Sequence, residues 1–230
     1  NNFVKEWVKR CPEIKSVIQN INTRDTNVIL GEKERVLYGP SVIKDSILGV
    51  DFLISSKSFF QVNPVQVEKL YSKAIEFADL KIDENIFDAY CGIGTISLCA
   101  SKYVNKVVGA EIVKEAIIDA RKNAKINNIS KANFICGDAG DVLETLINNG
   151  EKFSTVFVDP PRKGLDEKFI SKLLELHPKK VVYVSCDPET LARDVSILSS
   201  KYKIEKIQPV DMFPQTFHVE TVVLLTSKLS

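Results

Sequence analysis

The sequence has few of the residues that build disulfide frameworks or metal sites. Its 230 residues include only two histidines and five cysteines, and no two cysteines form a C-x-x-C pair (Cys11, Cys91, Cys99, Cys136, Cys186). Scattered single cysteines are typical of proteins in a reducing compartment, where thiols stay free. We therefore expect no metal in this chain and a cytoplasmic location.

Long apolar runs and a strong net charge are also missing. No apolar run approaches the roughly 18 residues that suggest a membrane span, and the start, NNFVKEWVKRCPEIK, carries charges where a signal peptide has an apolar core. The formal net charge is +1, so the composition alone does not indicate a nucleic-acid binder. We expect no membrane partner. Because the chain begins without Met and in mid-pattern, we also expect an N-terminal part beyond this sequence.

Short β-rich runs fill the first part of the chain. Between Ser16 and Ser55 they read SVIQNI, TNVILG, RVLYG and ILGVDFLIS, with Asn, Asp, Gly and Pro in the turns between them. This pattern predicts a small antiparallel meander. We assign residues 1–62 to a β-rich segment of a central domain. Pro64 suits the first turn of a helix, which predicts that a second, catalytic domain begins at residue 63 and runs to residue 230.

From Asn85 onward, apolar runs of strand length alternate five times with amphipathic stretches. Repeated β-α units of this length predict a mostly parallel, doubly wound sheet that binds ligands at the carboxyl ends of its strands. Two more strands, KIEKIQPV and FHVETVVLL, follow without a convincing helix between them. A closing antiparallel hairpin after five βα units predicts an α/β fold of the Rossmann-like class I methyltransferase type, with seven strands.

A glycine turn follows the first strand of this region. In FDAYCGIGT, Gly92 and Gly94 permit a tight turn, and Asp88 lies four positions before Gly92. Ser97 replaces the third glycine of the dinucleotide fingerprint, which argues against NAD. Glu111 ends the second strand, where an acid can accept both hydroxyls of a ribose. These acids suit S-adenosylmethionine, which carries a cationic ammonium and sulfonium; a helix-packing turn without a ligand is the alternative.

Two more acids follow predicted strands. Asp138 comes after the third strand, where it could reach an adenine amine, although a helix N-cap explains it almost equally well. Asp159 comes after the fourth, and the two prolines of DPPRKG aim it into the cleft. Enzymes that methylate exocyclic amines usually carry an aromatic residue after this Pro-Pro pair, so Arg162 argues against that reaction. A rigid loop without a catalytic role would also explain the prolines.

Cys186 ends the fifth strand, directly before the helix that begins at Asp187-Pro188. A helix N-terminus lowers the pKa of a thiol below its usual value of about 8.5, which favours a nucleophilic thiolate. A single cysteine is nevertheless more often an inert core residue. Glu220 interrupts an apolar strand, so it either faces solvent at an edge or serves chemistry. If the last strands turn back beside the fifth, Glu220 approaches Cys186.

Five motifs taken together resemble those of the RNA uracil-C5 methyltransferases, over essentially the whole chain: SFFQVNP, FDAYCGIGT, DPPRKGL, VVYVSCDPETLARD and DMFPQTFHVE. Enzymes of this family act on 23S ribosomal RNA or on the T-loop of tRNA, and the ribosomal branch is closer. The resemblance implies S-adenosylmethionine as the cofactor, contacted by Gln61, Tyr90, Gly92, Gly94, Glu111, Asp138 and Asp159.

The same resemblance implies that Cys186 is the nucleophile and Glu220 the proton acceptor. Carbon 5 of uracil is a poor nucleophile, so a thiolate must first add to carbon 6. Phe59, Asp159 and Arg162 would contact the substrate, with Phe59 stacking on RNA. The target uridine must be flipped out of its stack. We expect an RNA partner, ribosomal RNA first, and a monomeric protein.

Other interpretations remain. Cytosine-C5 RNA methyltransferases generally carry a second cysteine where Arg162 stands. An RNA-binding module that keeps the fold would have no reason to bring Cys186 and Glu220 together. An NAD-dependent oxidoreductase lacks the third glycine and leaves Cys186 unexplained. Relatives often have His at the position of Gln215, which is a departure from the family pattern.

Overall fold

The computed structural model describes residues 2–23, 29–31 and 33–229. The helices are α1 Asn2–Arg10, α2 Pro64–Ala78, α3 Thr95–Ser101, α4 Lys114–Ile126, α5 Ala139–Asn148, α6 Glu167–Leu176 and α7 Pro188–Leu198. The strands are β1 Val17–Ile21, β2 Lys33–Tyr38, β3 Val42–Ile47, β4 Val50–Ser55, β5 Asn85–Ala89, β6 Lys106–Glu111, β7 Ala132–Cys136, β8 Thr155–Val158, β9 Lys180–Ser185, β10 Tyr202–Val210 and β11 Glu220–Ser227.

A seven-stranded sheet in the order β10-β11-β9-β8-β5-β6-β7 forms the centre of the molecule. The strands from β9 to β7 pair in parallel, whereas β11 pairs antiparallel with both β9 and β10. The order in which successive strands are added reverses at β5, whose neighbours are β6 and β8, and such a switch point is where sheets of this kind bind ligands. The predicted seven-stranded methyltransferase sheet with its closing hairpin is confirmed.

Two buried apolar clusters cover the two faces of the sheet. Side chains of α2, α3 and α4 pack on one face and those of α5, α6 and α7 on the other. Successive residues of β9 alternate between the clusters: Val182 and Val184 face α2, and Val181 and Tyr183 face the opposite layer. A strand buried on both faces needs apolar residues at nearly every position, which explains the uninterrupted run KVVYV.

The N-terminal strands form two separate hairpins, β1–β2 and β3–β4, where one meander was predicted. The predicted run TNVILG lies partly on residues 24–28, outside the described residues. Helix α1 was not predicted; its Phe3, Val4 and Trp7 recur at helical spacing. The antiparallel β appendage is confirmed, and the domain boundary between residues 62 and 63 stays a prediction.

Asn123 of α4 and Asn127, which caps the C-terminus of that helix, bind the exposed edge of β4. The amide of Asn123 accepts from Leu53 N (2.8 Å) and donates to the carbonyls of Leu53 (3.4 Å) and Ile93 (3.3 Å). The amide of Asn127 likewise accepts from Asp51 N (2.9 Å) and donates to Asp51 O (2.7 Å). Each side chain therefore replaces the missing neighbouring strand and joins the β3–β4 hairpin to the main sheet layer.

We expect Asn123→Ala to lower the free energy of unfolding by about 1–3 kcal/mol, because it leaves backbone groups of partly buried Leu53 and buried Ile93 without this partner. Urea denaturation measures the change. Asn105→Ala is the matched control, since Asn105 makes a single exposed hydrogen bond to Asn85. Equal losses in the two variants would show that Asn123 does not have this structural role.

Candidate active site

Four strand ends meet at one edge of the sheet. The parallel strands β5, β8 and β9 all end there. Asp88 is the last residue but one of β5, and Asp159 and Cys186 directly follow β8 and β9. Strand β11 runs the other way, so its first residue, Glu220, begins at the same edge. Because Thr221 pairs with Ser185, the next step of the antiparallel register sets Glu220 level with Cys186. The predicted approach of these two residues is what the topology produces.

Three carboxyl groups lie together behind this edge. Burial, followed by the charges of Glu220 and Asp88, raises the pKa of Asp159 well above its usual range. Burial also raises the pKa of Glu220, against the opposing effect of the Arg162 guanidinium. Asp159 is partly exposed at the floor of the cleft, although protein surrounds it closely. The site therefore favours protonated carboxyl groups and cationic or hydrogen-bond-accepting ligands.

The pKa of the Cys186 thiol differs from the prediction. Burial and then the charges of Glu220 and Asp159 raise it, and the smaller effects of Arg162 and a backbone hydrogen bond do not compensate. The expected benefit of the helix N-terminus is weak because Asp187 already caps α7. Its carboxylate accepts from Glu189 N (3.0 Å) and Thr190 N (3.1 Å), so a fixed anion already neutralises that helix end.

Arg162 is the cation of the site. Its guanidinium lowers the pKa of both Cys186 and Glu220, which places it close to the two predicted catalytic residues. Its Nη2 lies 3.2 Å from Nε2 of His218 in the loop that precedes β11. An arginine has only donors, so His218 accepts through Nε2 and carries its proton on Nδ1. Arg162 and His218 therefore join the loops that follow β8 and precede β11.

A buried acid on α7 fixes the loop that carries Arg162, and the sequence interpretation missed it. The side chain of Asp194 accepts from Leu165 N (2.7 Å) and the Tyr183 hydroxyl (2.8 Å) through Oδ2. Arg193 Nε donates to its Oδ1 (2.8 Å). Gly164 has φ +74°, and a Cβ there would lie 2.5 Å from Asp194 Oδ2, so only glycine fits this close approach.

Two neighbours of Asp194 bind backbone carbonyls of the same loop. Thr190 Oγ1 donates to Arg162 O (3.0 Å), and Arg193 Nη2 donates to Lys163 O (2.8 Å). The polar residues of the motif ETLARD could have indicated this role, because helix positions that repeat every three or four residues share one face. Their partners lie about 28 residues earlier in the chain, and the sequence offered no way to identify them.

The second strand ends in an acid that the backbone holds beside the glycine turn. Glu111 accepts from Gly92 N (3.2 Å) and Val113 N (2.9 Å), one on each carboxylate oxygen. Every carboxylate oxygen has a second lone pair, so both can still accept from the hydroxyls of a ribose. Gly92 has φ +55° and open space where a Cβ would stand, which lets a ligand approach the backbone. Gly94 closes the turn as the N-cap of α3.

Asp88 carries an uncompensated oxygen next to this turn. The residue is 1% exposed, and its Oδ2 accepts from the Ser97 hydroxyl (2.6 Å). Its Oδ1 is buried without a hydrogen-bond partner among the described residues. Burial raises the pKa of Asp88 to about 7. A buried acid with a free oxygen fits a cationic ligand such as the ammonium or sulfonium of S-adenosylmethionine, so these residues fit that cofactor.

Two other predicted cofactor residues lie at this edge. Asp138 is the N-cap of α5, and its Oδ1 accepts from Gly140 N (2.9 Å) and Asp141 N (3.3 Å). The N-cap interpretation is therefore confirmed, and contact with adenine stays a prediction. Tyr90 adopts φ +66°, and its ring meets Phe169 edge-on at 5.7 Å. Its hydroxyl is buried close to Asp166, and burial, followed by the charges of Asp166 and Asp138, raises its pKa.

Gln61, in the segment before α2, lies near Tyr71 of that helix. Gln61 is buried, and its side chain and that of Thr95 lie within hydrogen-bonding reach of the Tyr71 hydroxyl. Burial and then the charge of Asp159 raise the pKa of Tyr71, which indicates that this phenol lies near Asp159. Phe59, by contrast, is 76% exposed.

Neither a metal centre nor a membrane segment is found in the part of the chain that the structure describes. Its His, Cys, Asp and Glu side chains form no group of three or more that could ligate a metal ion. Its helices include none with the length and apolar character needed to cross a bilayer.

We expect the pH at which Cys186 becomes alkylated to report these charges. Glu220→Gln removes an anion and should shift the profile to lower pH, whereas Arg162→Gln removes a cation and should shift it to higher pH. Iodoacetamide labelling with peptide mass spectrometry measures the rate at each pH. Cys136, an exposed thiol, is the internal control and should behave alike in all three proteins. Shifts of the opposite sign would contradict this arrangement.

Known proteins share both the sequence and the fold of this chain. A curated relative from Listeria innocua, described as an uncharacterized RNA methyltransferase, is 51% identical over 217 residues, covering 94% of this chain and 48% of its own length. A similarly described protein of Clostridium acetobutylicum is 54% identical over 213 residues, covering 92% of this chain and 46% of its own. The chain thus spans about half the length of the curated relatives it matches.

A solved structure agrees with these relatives. The Pyrococcus abyssi tRNA (uracil-54, C5)-methyltransferase, crystallised with S-adenosyl-L-homocysteine, superimposes with a TM-score of 0.78. It is 37% identical, and the match covers 92% of this chain and 51% of that one. The profile of the tRNA (uracil-5-)-methyltransferases matches residues 6–228, nearly the whole sequence. The chain therefore belongs to the tRNA (uracil-5-)-methyltransferase family.

Proposed function

We propose that this chain methylates carbon 5 of a uridine in RNA, with S-adenosylmethionine as the methyl donor. The observation that carries the proposal is the meeting of Cys186 and Glu220 at the ligand-binding edge of the sheet. A thiol and a buried carboxyl at this position suit nucleophilic catalysis followed by proton abstraction. Membership of the uracil-5 family and the uncompensated Asp88 beside the glycine turn support the choice of substrate base and donor.

In the proposed reaction, the Cys186 thiolate adds to carbon 6 of the flipped uracil. A sulfur–carbon bond forms, and the electron pair of the 5,6 double bond moves through carbon 5 toward oxygen 4 as an enolate. S-adenosylmethionine, when bound, would supply the methyl group that carbon 5 takes, with S-adenosylhomocysteine as the leaving group. Glu220 then removes the proton from carbon 5, the double bond returns, and the sulfur leaves carbon 6 as a thiolate. The thiol is thus regenerated in each turnover.

The electrostatics of the site suit these roles. Burial raises the pKa of Glu220, which makes its carboxylate a stronger base toward a carbon-bound proton. The raised pKa of Asp159 favours its protonated form, which can donate a hydrogen bond to an oxygen of the ring. The Arg162 cation lowers the pKa of Cys186 and would also stabilise the developing enolate. Gln61 lies within hydrogen-bonding reach of the Tyr71 hydroxyl and, on the resemblance, would contact the cofactor or the base beside it.

For the substrate RNA, we propose 23S ribosomal RNA, on the resemblance of the five motifs to the ribosomal branch. A tRNA is the second candidate, because the Pyrococcus abyssi enzyme that shares this fold at 37% identity acts on uracil-54 of tRNA. The curated relatives are described only as RNA methyltransferases. The monomeric state and the cytoplasmic location stay predictions.

The deciding experiment uses tritiated S-adenosylmethionine with unmodified 23S and tRNA transcripts. We expect label in 5-methyluridine from one of the two transcripts, and no label from the Cys186→Ala variant, which lacks the nucleophile. Binding of S-adenosylhomocysteine, measured by calorimetry, should be unchanged in that variant. The matched control is Cys99→Ala, which should retain activity. It removes a buried thiol on α3 whose Sγ lies against Ile47 O (3.5 Å) of the β3–β4 hairpin.

Two results would overturn the proposal. Label in 5-methylcytidine would show that the target base is cytosine. Label retained in Cys186→Ala would show that Cys186 is not the nucleophile. The identity of the labelled transcript separates the ribosomal from the tRNA candidate.

We expect Glu220→Gln to stop the reaction after methyl transfer, because the amide cannot take the carbon-5 proton and elimination then fails. A covalent protein–RNA adduct should accumulate and appear as a retarded band on a denaturing gel. The double variant Cys186→Ala/Glu220→Gln should give no such band. Normal turnover in Glu220→Gln would show that another group accepts the proton.

A further inference from the structure

The loop between β10 and β11 has a fixed base and an exposed tip. At the base, Asn63 at the start of α2 donates to Met212 O (3.0 Å). The Phe213 ring packs against the apolar cluster of α2. Phe213 O then accepts from Thr216 N (3.1 Å) and Thr216 Oγ1 (2.7 Å), which closes a turn with Gln215 at φ +69°. The tip that follows therefore has a defined position.

Two rings stand side by side at this tip. The rings of Phe217 and His218 have centroids 4.2 Å apart, and the Phe217 side chain is 91% exposed. His218 also meets Phe213 edge-on at 6.4 Å and accepts a hydrogen bond from Arg162. The imidazole is thus held on two sides, and it in turn holds the phenyl ring.

The fold gains little from the Phe217 ring. A phenyl group that stays in water contributes almost nothing to folding by burial, and an exposed apolar side chain beside a cleft is typical of a contact surface. Only two residues separate Phe217 from Glu220, and the Arg162 cation reaches both Glu220 and His218. The exposed ring therefore lies at the mouth of the site where the proposed target uridine enters.

We propose that Phe217 and His218 form a stacking platform for the nucleobase next to the flipped uridine. The inference rests on the proposed function. Flipping a base out of its stack leaves a face of its neighbour uncovered, and an aromatic side chain at the mouth of the pocket can cover that face. Stacking on an aromatic ring tolerates any base, and Arg162 neutralises nearby phosphate charge. A protein or lipid partner fits less well, because Phe217 is a single exposed ring beside the site and no wider apolar surface is described around it.

The platform is distinct from Phe59. Phe59 precedes α2 and is 76% exposed, whereas its neighbour Phe60 packs on Phe52 with ring centroids 5.9 Å apart. We assign Phe217 to the base adjoining the target, because Phe217 lies in the loop that leads into Glu220 and its neighbour His218 contacts Arg162.

The test measures binding of a fluorescein-labelled single-stranded RNA that contains one uridine flanked by adenosines, by anisotropy in the presence of S-adenosylhomocysteine. We expect Phe217→Ala to raise the Kd roughly tenfold or more, because base–aromatic stacking has that magnitude. Phe217→Tyr should restore binding and Phe217→Leu should not. Tyr103→Ala is the matched control, since Tyr103 is an exposed aromatic residue (43%) before β6, at the opposite edge of the sheet.

A second RNA locates the stacked base. When the flanking adenosines are replaced by abasic ribose, wild type and Phe217→Ala should bind alike, because the stacking partner is gone. If the difference instead disappears only when the uridine itself is abasic, Phe217 contacts the target base and the inference is wrong. Wild-type binding that Phe217→Ala leaves unchanged would overturn it as well, and so would wild-type protein that does not bind the RNA.

These outcomes are separate from failure of the proposed function. Anisotropy needs no methyl transfer, so the platform can be supported even if neither transcript becomes labelled. Conversely, methylation with an unchanged KM for RNA in Phe217→Ala would leave the uracil chemistry intact and remove the platform alone.

Discussion

The antiparallel pairing of β11 with β9 is the constraint on which the site depends. The other neighbour of β9 in the described sheet, β8, runs parallel to it, and parallel strands bring only their carboxyl ends to the ligand edge. Reversal of β11 brings an amino end there, so Glu220 arrives beside Cys186 from a strand 34 positions later in the chain. A register slip of one residue would turn Glu220 to the other face of the sheet.

The acidic side chains of the site repel one another, which destabilises the folded chain while no cationic ligand is bound. Asp88, Asp159 and Glu220 are gathered behind one edge, and burial together with mutual repulsion raises the pKa of Asp159. Burial and the charges of Glu220 and Asp159 also raise the pKa of the Cys186 thiol, so this thiol is a poor nucleophile when no ligand is bound. A cation bound beside Asp88 would oppose the repulsion among these groups, because it stabilises nearby anions, while the effect of burial would remain. We therefore expect binding of the cofactor to lower the pKa of the thiol.

The parts of the molecule that the sequence predicted are those set by local patterns. Alternating strand and helix runs, the glycine turn after Asp88 and the closing hairpin determine the sheet, and the sheet brings Cys186 toward Glu220. The pKa of Cys186 could not be predicted, because it depends on burial and on two acids, Glu220 and Asp159, that come from other parts of the chain. The role of Asp194 was missed for the same reason: helical spacing marks its face, but its partner Leu165 is visible only once the chain has folded.

Helix α7 sets the geometry of two groups of the site at once. It begins two residues after Cys186, and its Thr190, Arg193 and Asp194 side chains bind the backbone of the loop that carries Arg162. The proposed nucleophile Cys186 and the cation that lowers its pKa are therefore both positioned by one helix, although their strands are separate. Since Arg162 also holds His218, the same helix indirectly positions the tip of the loop before Glu220. The precision of the site thus comes from a short chain of hydrogen bonds anchored in the buried Asp194 carboxylate.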